Sequence, residues 1–118
     1  MLYELRVYDI LPGKMGAITD RFANITLGYF RKHGFRPLLF AEPVIGTSNQ
    51  LIYLLQWQSL AERERCWDAF SADAGWLAAR AETERNGPIV RRFTSSILRE
   101  VPSITERLRS ASAREERT

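Results

Sequence analysis

Glu4, Arg6 and Tyr8 follow one another at every second position of LYELRVYDI. In a strand, side chains two apart leave on the same face. A carboxylate, a guanidinium and a phenol would therefore stand in one row. Two kinds of chemistry fit such a row. Arg6 and Glu4 can form a structural ion pair or a subunit contact, since burial makes such a pair costly to break. Alternatively, the rigid fork of donors on Arg6 can anchor an anion or a carbonyl oxygen, with the Tyr8 phenol donating or accepting a proton.

A second group of chemistry-bearing side chains lies in QLIYLLQWQ, where Tyr53 and Trp57 share a face with Leu51 and Leu55. Together with Tyr8 they can be packing, or the aromatic wall of a small-molecule pocket with phenol donors. His33 precedes Gly34 in KHGF and reads either as a helix-terminal cap or as a general base or haem ligand. Trp76 follows Gly75 in DAGW, where a helix break would let the indole turn inward. One histidine and one cysteine without carboxylates at ligand spacing argue against a metal site, and no cofactor is called for. No nucleophile elbow, phosphate-binding loop, dinucleotide fingerprint or paired-carboxylate motif is present.

These residues need elements to hold them. Leu11-Pro12-Gly13 closes the first strand. Met15, Ile18, Phe22, Ile25 and Tyr29 then recur at steps of three and four, predicting a helix whose buried stripe they form. Lys32-His33-Gly34 ends it, basic residues and a left-handed glycine both suiting a helix C-terminus. A strand over Pro37–Val44 follows, placed at an edge or carrying a bulge because Pro37 and Pro43 cannot donate ladder bonds. Gln50–Gln58 pairs with it as a hairpin. Ser59 and Glu62 have capping-box spacing at the start of a second helix. A break near residues 71–75, with Asp73 capping the second piece, precedes a last strand over Arg92–Arg99.

The order is β-α-β-β-α-β, an α+β ferredoxin-like sandwich with two helices on one face of a four-stranded antiparallel sheet. Residues 1–102 form this domain, and 103–118 read as a polar, charged tail, frayed or weakly helical. The strand LIYLLQWQ is apolar on both faces, carrying Ile52 and Leu54 opposite Leu51, Tyr53, Leu55 and Trp57. Two helices cover one face only, so the other asks for a second chain, most simply a homodimer packed sheet against sheet.

The 118 residues suit one domain and carry a net charge of +3. Fifteen of the seventeen basic residues are arginine, dispersed or interleaved with Glu106, Glu115 and Glu116, which argues against a nucleic-acid surface. With no apolar run near the roughly 20 residues that span a bilayer, no membrane partner is expected. No signal peptide is recognisable either, and a cytoplasmic location is the default.

LYELRVYDILPGK, a helix, KHGF, a strand ending in IG, then NQLIYLLQWQSLAERE and DAGW together resemble the NIPSNAP family, within the dimeric α/β-barrel superfamily. The resemblance spans about residues 2–105. It implies a ferredoxin-like protomer, a dimer whose sheets close into a barrel, and a cavity between sheet and helices or within the barrel. Enzymes of that superfamily include cofactor-independent monooxygenases, haem-degrading enzymes and small isomerases. By resemblance to them, Trp57, two residues before Ser59, would wall a cavity, and Arg6 would face inward and hold a substrate oxygen. Tyr8 or Tyr53 would move a proton, with Glu4, His33 and Trp76 as further contacts to an apolar or aromatic ligand. This chain has Tyr53 where relatives often have histidine and Leu55 where they have an aromatic, so that histidine's acid–base role is absent or changed. Taken with the two-sided apolar strand, the resemblance leads us to expect Glu4, Arg6 and Tyr8 on the face turned to the dimer barrel. A non-catalytic dimeric scaffold is the alternative.

Overall fold

The first alternating stretch forms β1 (Leu2–Ile10), and Gly13, at φ 80°, turns the chain into helix α1 (Met15–Arg21). This helix runs into a π-helical turn (Phe22–Thr26) and then α2 (Leu27–Lys32). The structure is a computed structural model that describes residues 1–117, with side chains described through 115.

The C-terminus of α2 is closed by a Schellman motif. The Phe35 amide donates to the Phe30 carbonyl at 2.9 Å and the Gly34 amide to that of Arg31 at 3.2 Å. Gly34 takes the left-handed conformation at φ 82°, as KHGF predicts. The Phe30 and Phe35 rings stack across the motif at 4.3 Å, which pins the entry into β2 (Arg36–Ala41) to the core.

β3 (Gln50–Trp57) follows, and Ser59 caps α3 (Leu60–Ser71) by accepting the Glu62 amide at 3.1 Å. The box is not reciprocal: Glu62 Oε1 receives the Gln58 amide and Arg36 instead. The expected break falls at Ala72–Asp73, and Asp73 Oδ1 accepts the amides of Gly75 and Trp76 to start α4 (Ala74–Thr83). β4 (Val90–Arg99) ends the sheet. The segment expected as a tail forms α5 (Pro102–Arg117).

The sheet is antiparallel in the order β2-β3-β1-β4, the ferredoxin-like arrangement. β2 is an edge strand whose register shifts between Pro37 and Leu39, both devices expected for Pro37, but it ends at Ala41 rather than Val44 and leaves Pro43 outside it. The helical layers pack on one face, over a core of Phe22, Phe30, Phe35, Tyr53, Trp57 and Phe70. No helix among the described residues is long and apolar enough to cross a membrane.

The first helix departs from the stripe read in the sequence. Its buried residues are Ile18, Arg21, Phe22, Thr26 and Phe30, while Met15, Ile25 and Tyr29 are only partly covered. The π-turn is the reason. Its extra residue per turn, marked by the Leu27 amide donating to the Phe22 carbonyl, rotates the following face by about one position. Thr26 and Phe30 replace Ile25 and Tyr29 on the inward side.

Candidate functional site

Cross-strand pairing fixes which side chains share a face. Glu4 stands opposite Leu55, Arg6 opposite Tyr53 and Tyr8 opposite Leu51, so the row from β1 joins the buried row of β3. That shared face lies under the chain's own helices. The expectation that Glu4, Arg6 and Tyr8 turn toward a dimer barrel is corrected by their contacts. Glu4 bonds to Arg63 and Trp67 of α3, and the Tyr8 ring lies 6.0 Å from Phe22 of the π-turn. Tyr3, Leu5, Val7 and Asp9 take the opposite, open face. The sequence could not fix the side because one face of β1 carries polar groups that only become suited to a core once α3 supplies their partners.

Glu4 is fully buried and is the centre of the network. Its Oε1 accepts from Trp57 Nε1 at 3.0 Å, Arg63 Nε at 2.9 Å and Trp67 Nε1 at 2.9 Å. Its Oε2 accepts from Arg6 Nη1 at 3.1 Å, Arg63 Nη2 at 3.0 Å and Ser95 Oγ at 2.6 Å. A carboxylate offers about four lone-pair sites, so three donors on each oxygen leave it no free acceptor capacity. The Arg63 fork grips both oxygens, the bidentate geometry that makes guanidinium–carboxylate pairs strong. Burial on its own would raise the Glu4 pKa, but the bonds from Arg63, Ser95, Trp67 and Trp57 outweigh it and lower it to about 2.

Arg6 is held as tightly. Its Nε donates to Tyr53 Oη at 2.7 Å and its Nη2 to Tyr8 Oη at 3.2 Å, while the two phenol oxygens lie 2.9 Å apart. The guanidinium is sandwiched between the Trp67 and Phe93 rings, 4.4 and 4.5 Å from their centroids. Burial pulls its pKa down, but Tyr53, Tyr8 and Glu4 outweigh that, and Arg6 stays charged. Burial is also the main reason that the Tyr53 phenol is pushed well above its usual range, with Tyr8 adding to it. Tyr53 and Trp57 are fully buried. Tyr8 is half-buried beside the exposed Phe93 of the edge strand, and the network also reaches the surface through the exposed Ser95 and the partly exposed Arg63.

The other two candidates lie apart from this cluster. His33 Nε2 is 2.7 Å from Asp73 Oδ2, which also receives Lys32 Nζ at 2.7 Å, so His33 caps α2 and ties it to the start of α4. Trp76 turns inward as expected, but against Tyr29 and Phe70. Among the described residues, no group of three His, Cys, Asp or Glu side chains is placed to hold a metal ion. A cleft of about 540 Å³ lies at the Asp9 end of the sheet, lined by residues including Asn49, Arg91 and Arg92, and not by Arg6 or Trp57.

Four participants escape sequence reasoning. Arg63 and Trp67 had a signal: they sit four and eight residues after the Ser59 cap, on one helix face, within the segment that carried the family resemblance. Ser95 pairs with Arg6 across β1–β4 and follows once register is known. Arg21 had only a weak one: it lies three residues after Ile18, ahead of the π-turn and on the buried side, but a guanidinium is seldom placed in a core. Its Nη1 reaches Thr83 Oγ1 at 3.3 Å and Glu84 at 3.7 Å, while its Nε and the Thr26 hydroxyl are buried without a partner. Burial lowers the Arg21 pKa, only partly offset by Glu84.

Comparison with known proteins places the fold. The chain is similar to an uncharacterized NIPSNAP domain protein from Burkholderia xenovorans, at 22% identity and a TM-score of 0.76, over 86% of this chain and 95% of the other. It is similar to a NIPSNAP family protein of unknown function from Agrobacterium tumefaciens, at 20% identity and a TM-score of 0.75, over 85% and 87%. It also shares its fold with a putative antibiotic biosynthesis monooxygenase from Nitrosomonas europaea, at 10% identity and a TM-score of 0.59, over 86% and 99%. Against curated proteins no match is found. The NIPSNAP family model matches residues 3–104, and the chain belongs to that family.

Proposed function

We propose that this NIPSNAP domain works as a homodimeric α/β-barrel interaction module in which the Glu4–Arg6 network is structural. The observation that carries this reading is the open face of the sheet. Leu39, Leu54 and Leu5 form one cross-strand row on it, and Ala41, Ile52 and Val7 form the next. α1 to α4 all lie on the other side, and Leu39 is 58% exposed. Such a surface is suited to a second sheet. The polar face supports the same reading from the other direction: Glu4 and Trp57 are closed off, with their bonding capacity spent inside the chain, so neither is available to a substrate. Light scattering on the purified protein at micromolar concentration tests the proposal. A mass of twice the 13.6 kDa chain supports it, and a monomer contradicts it.

One observation favours a second reading, a small-molecule site. Arg6 and Arg63 share the single carboxylate of Glu4, leaving a surplus positive charge beside the half-buried Tyr8. On the helix side, Arg21 is buried with an unpartnered Nε. A ligand here would present an anionic or carbonyl oxygen to Tyr8 and Arg6 and an apolar or aromatic body to Phe93. Tyr53 would support the Tyr8 proton and Glu4 and Trp57 would position rather than touch the ligand, while His33 and Trp76, apart from the cluster, would take no part. The chemistry would be of the cofactor-independent oxygenation or isomerisation type. Native mass spectrometry of the purified protein separates the readings. A bound small molecule lost in Arg6→Ala supports the site, and an empty protein counts against it.

A further inference from the structure

The cleft of about 540 Å³ at the Asp9 end of the sheet lies outside the Glu4–Arg6 network. Arg91 and Arg92 both line it, although adjacent residues of a regular strand leave on opposite faces. A β-bulge is the reason. Asp9 pairs with Arg92 but Ile10 pairs with Val90, so Arg91 is the extra residue of β4 and has no residue opposite it. A bulge re-aims a side chain, and here two successive guanidiniums come to one opening. The walls are fixed to the strand ends. The Asn49 carbonyl accepts the Ile10 amide at 2.8 Å, and the Leu11 amide donates to the Ile89 carbonyl at 3.0 Å. Ile10, Leu11 and Pro12 give the cleft an apolar side.

The lining offers donors that nothing in the chain uses. Its carboxylate is already taken: Asp9 Oδ1 accepts Gln50 Nε2 at 3.1 Å and Oδ2 accepts Arg92 Nε at 2.7 Å. Those bonds, with the charge of Arg91 adding to them, hold the Asp9 carboxyl below its ordinary range. It stays ionised and neutralises one arginine, which leaves the other in surplus. Among the described residues, Arg91 has no hydrogen-bond or ion-pair partner, and neither do the amides and hydroxyls of Thr47 and Ser48. We propose that this cleft binds a small phosphorylated molecule, its phosphate held by Arg91, the Nη atoms of Arg92 and the Thr47–Ser48 donors, and its apolar body lying on Leu11 and Pro12. A phosphate presents oxygens in several directions, which suits donors converging from a strand and a loop, whereas a carboxylate presents two in one plane. The volume lies within the roughly 300–1,000 Å³ of small-molecule pockets.

The test is isothermal titration of the full-length chain with inorganic phosphate at fixed ionic strength, with acetate titrated beside it. Arg91→Gln should weaken phosphate binding about tenfold, the loss of one charge-assisted contact. Arg99→Gln removes the same charge from an exposed arginine at the opposite end of β4, beyond a Debye length of about 10 Å, and should leave binding within about twofold. Both side chains are exposed, so circular dichroism should match the parent. Asp9→Asn removes the competing carboxylate and should tighten phosphate binding several-fold, a gain that a purely structural cluster would not give. A parent that does not bind phosphate, equal losses in the two arginine variants, or no gain in Asp9→Asn overturns the site. Acetate binding as tightly as phosphate overturns the assignment to a phosphate group.

Discussion

The two faces of one sheet solve opposite problems. The helix-covered face buries charges and satisfies them: Glu4 takes three donors on each oxygen, and Arg6 spends its Nε, Nη1 and Nη2 on Tyr53, Glu4 and Tyr8. The open face satisfies its polar groups at its two ends, Tyr3 on Glu100 and Asp9 with Gln50 and Arg92, and leaves Leu5, Val7, Ile52 and Leu54 between them without a layer above. Polarity alone would put Glu4 and Arg6 outside and the leucines inside, and the fold does the reverse. The difference teaches that partners decide burial. Polar residues can be internal when the same chain brings their donors, and apolar residues can be external when another chain covers them.

The sharpest way to break this contrast is to remove the charge at the centre of the closed face. Glu4→Gln keeps the shape but leaves Arg6 buried and unpaired, and should cost about 3–5 kcal/mol in urea unfolding. An effect below about 1 kcal/mol would mean that the network is not structural. The pH dependence follows from the same group. The Glu4 pKa is lowered in the folded protein from 4.5 to about 2, so its contribution is complete above pH 4.5 and is lost as the pH falls from there toward 2. In Glu4→Gln that part of the acid-induced loss should disappear.

A smaller perturbation asks whether the phenols belong to the same unit. Tyr53→Phe deletes the acceptor for Arg6 Nε and the bond to Tyr8, and should cost about 1–3 kcal/mol. If the chain instead holds a ligand at Tyr8, native mass spectrometry should register the change more strongly than stability does.

Much of this arrangement was legible in the residues. Alternation in LYELRVYDI and LIYLLQWQ gave the two central strands, and Leu11-Pro12-Gly13 and Lys32-His33-Gly34 bracketed the first helix. Ser59 and Asp73 marked the starts of the next two. The two-sided apolarity of β3 pointed to an unpartnered face. The side on which Glu4 and Arg6 lie was not legible, because alternation gives the rows but not which row the helices choose. The partners that settle the matter, Arg63 and Trp67, come from an element some sixty residues away. Thr26 was hidden by the π-turn, since a regular 3.6-residue period places Ile25 and Tyr29 on the inward stripe, and Arg21 by its charge, although it follows Ile18 by three. α5 was read as a polar tail because its charges outnumber its apolar residues, although those it has repeat at helical spacing.

The smallest effect expected is local to the helix that completes the closed face. Ser59→Ala removes the α3 cap and should cost about 1 kcal/mol. Because α3 carries Arg63 and Trp67, that loss should add to the loss from Glu4→Gln by less than the simple sum.

The contrast between the faces is tested most directly by Leu54→Glu, measured by light scattering beside the parent protein. Leu54 lies at the middle of the open face, paired with Leu5 and Leu39, and touches none of the Glu4 network. The account predicts a parent dimer at micromolar concentration and a folded Leu54→Glu monomer with its urea midpoint nearly unchanged at protein concentrations where the parent is also dissociated. A Leu54→Glu protein that remains dimeric with the parent's affinity would contradict it.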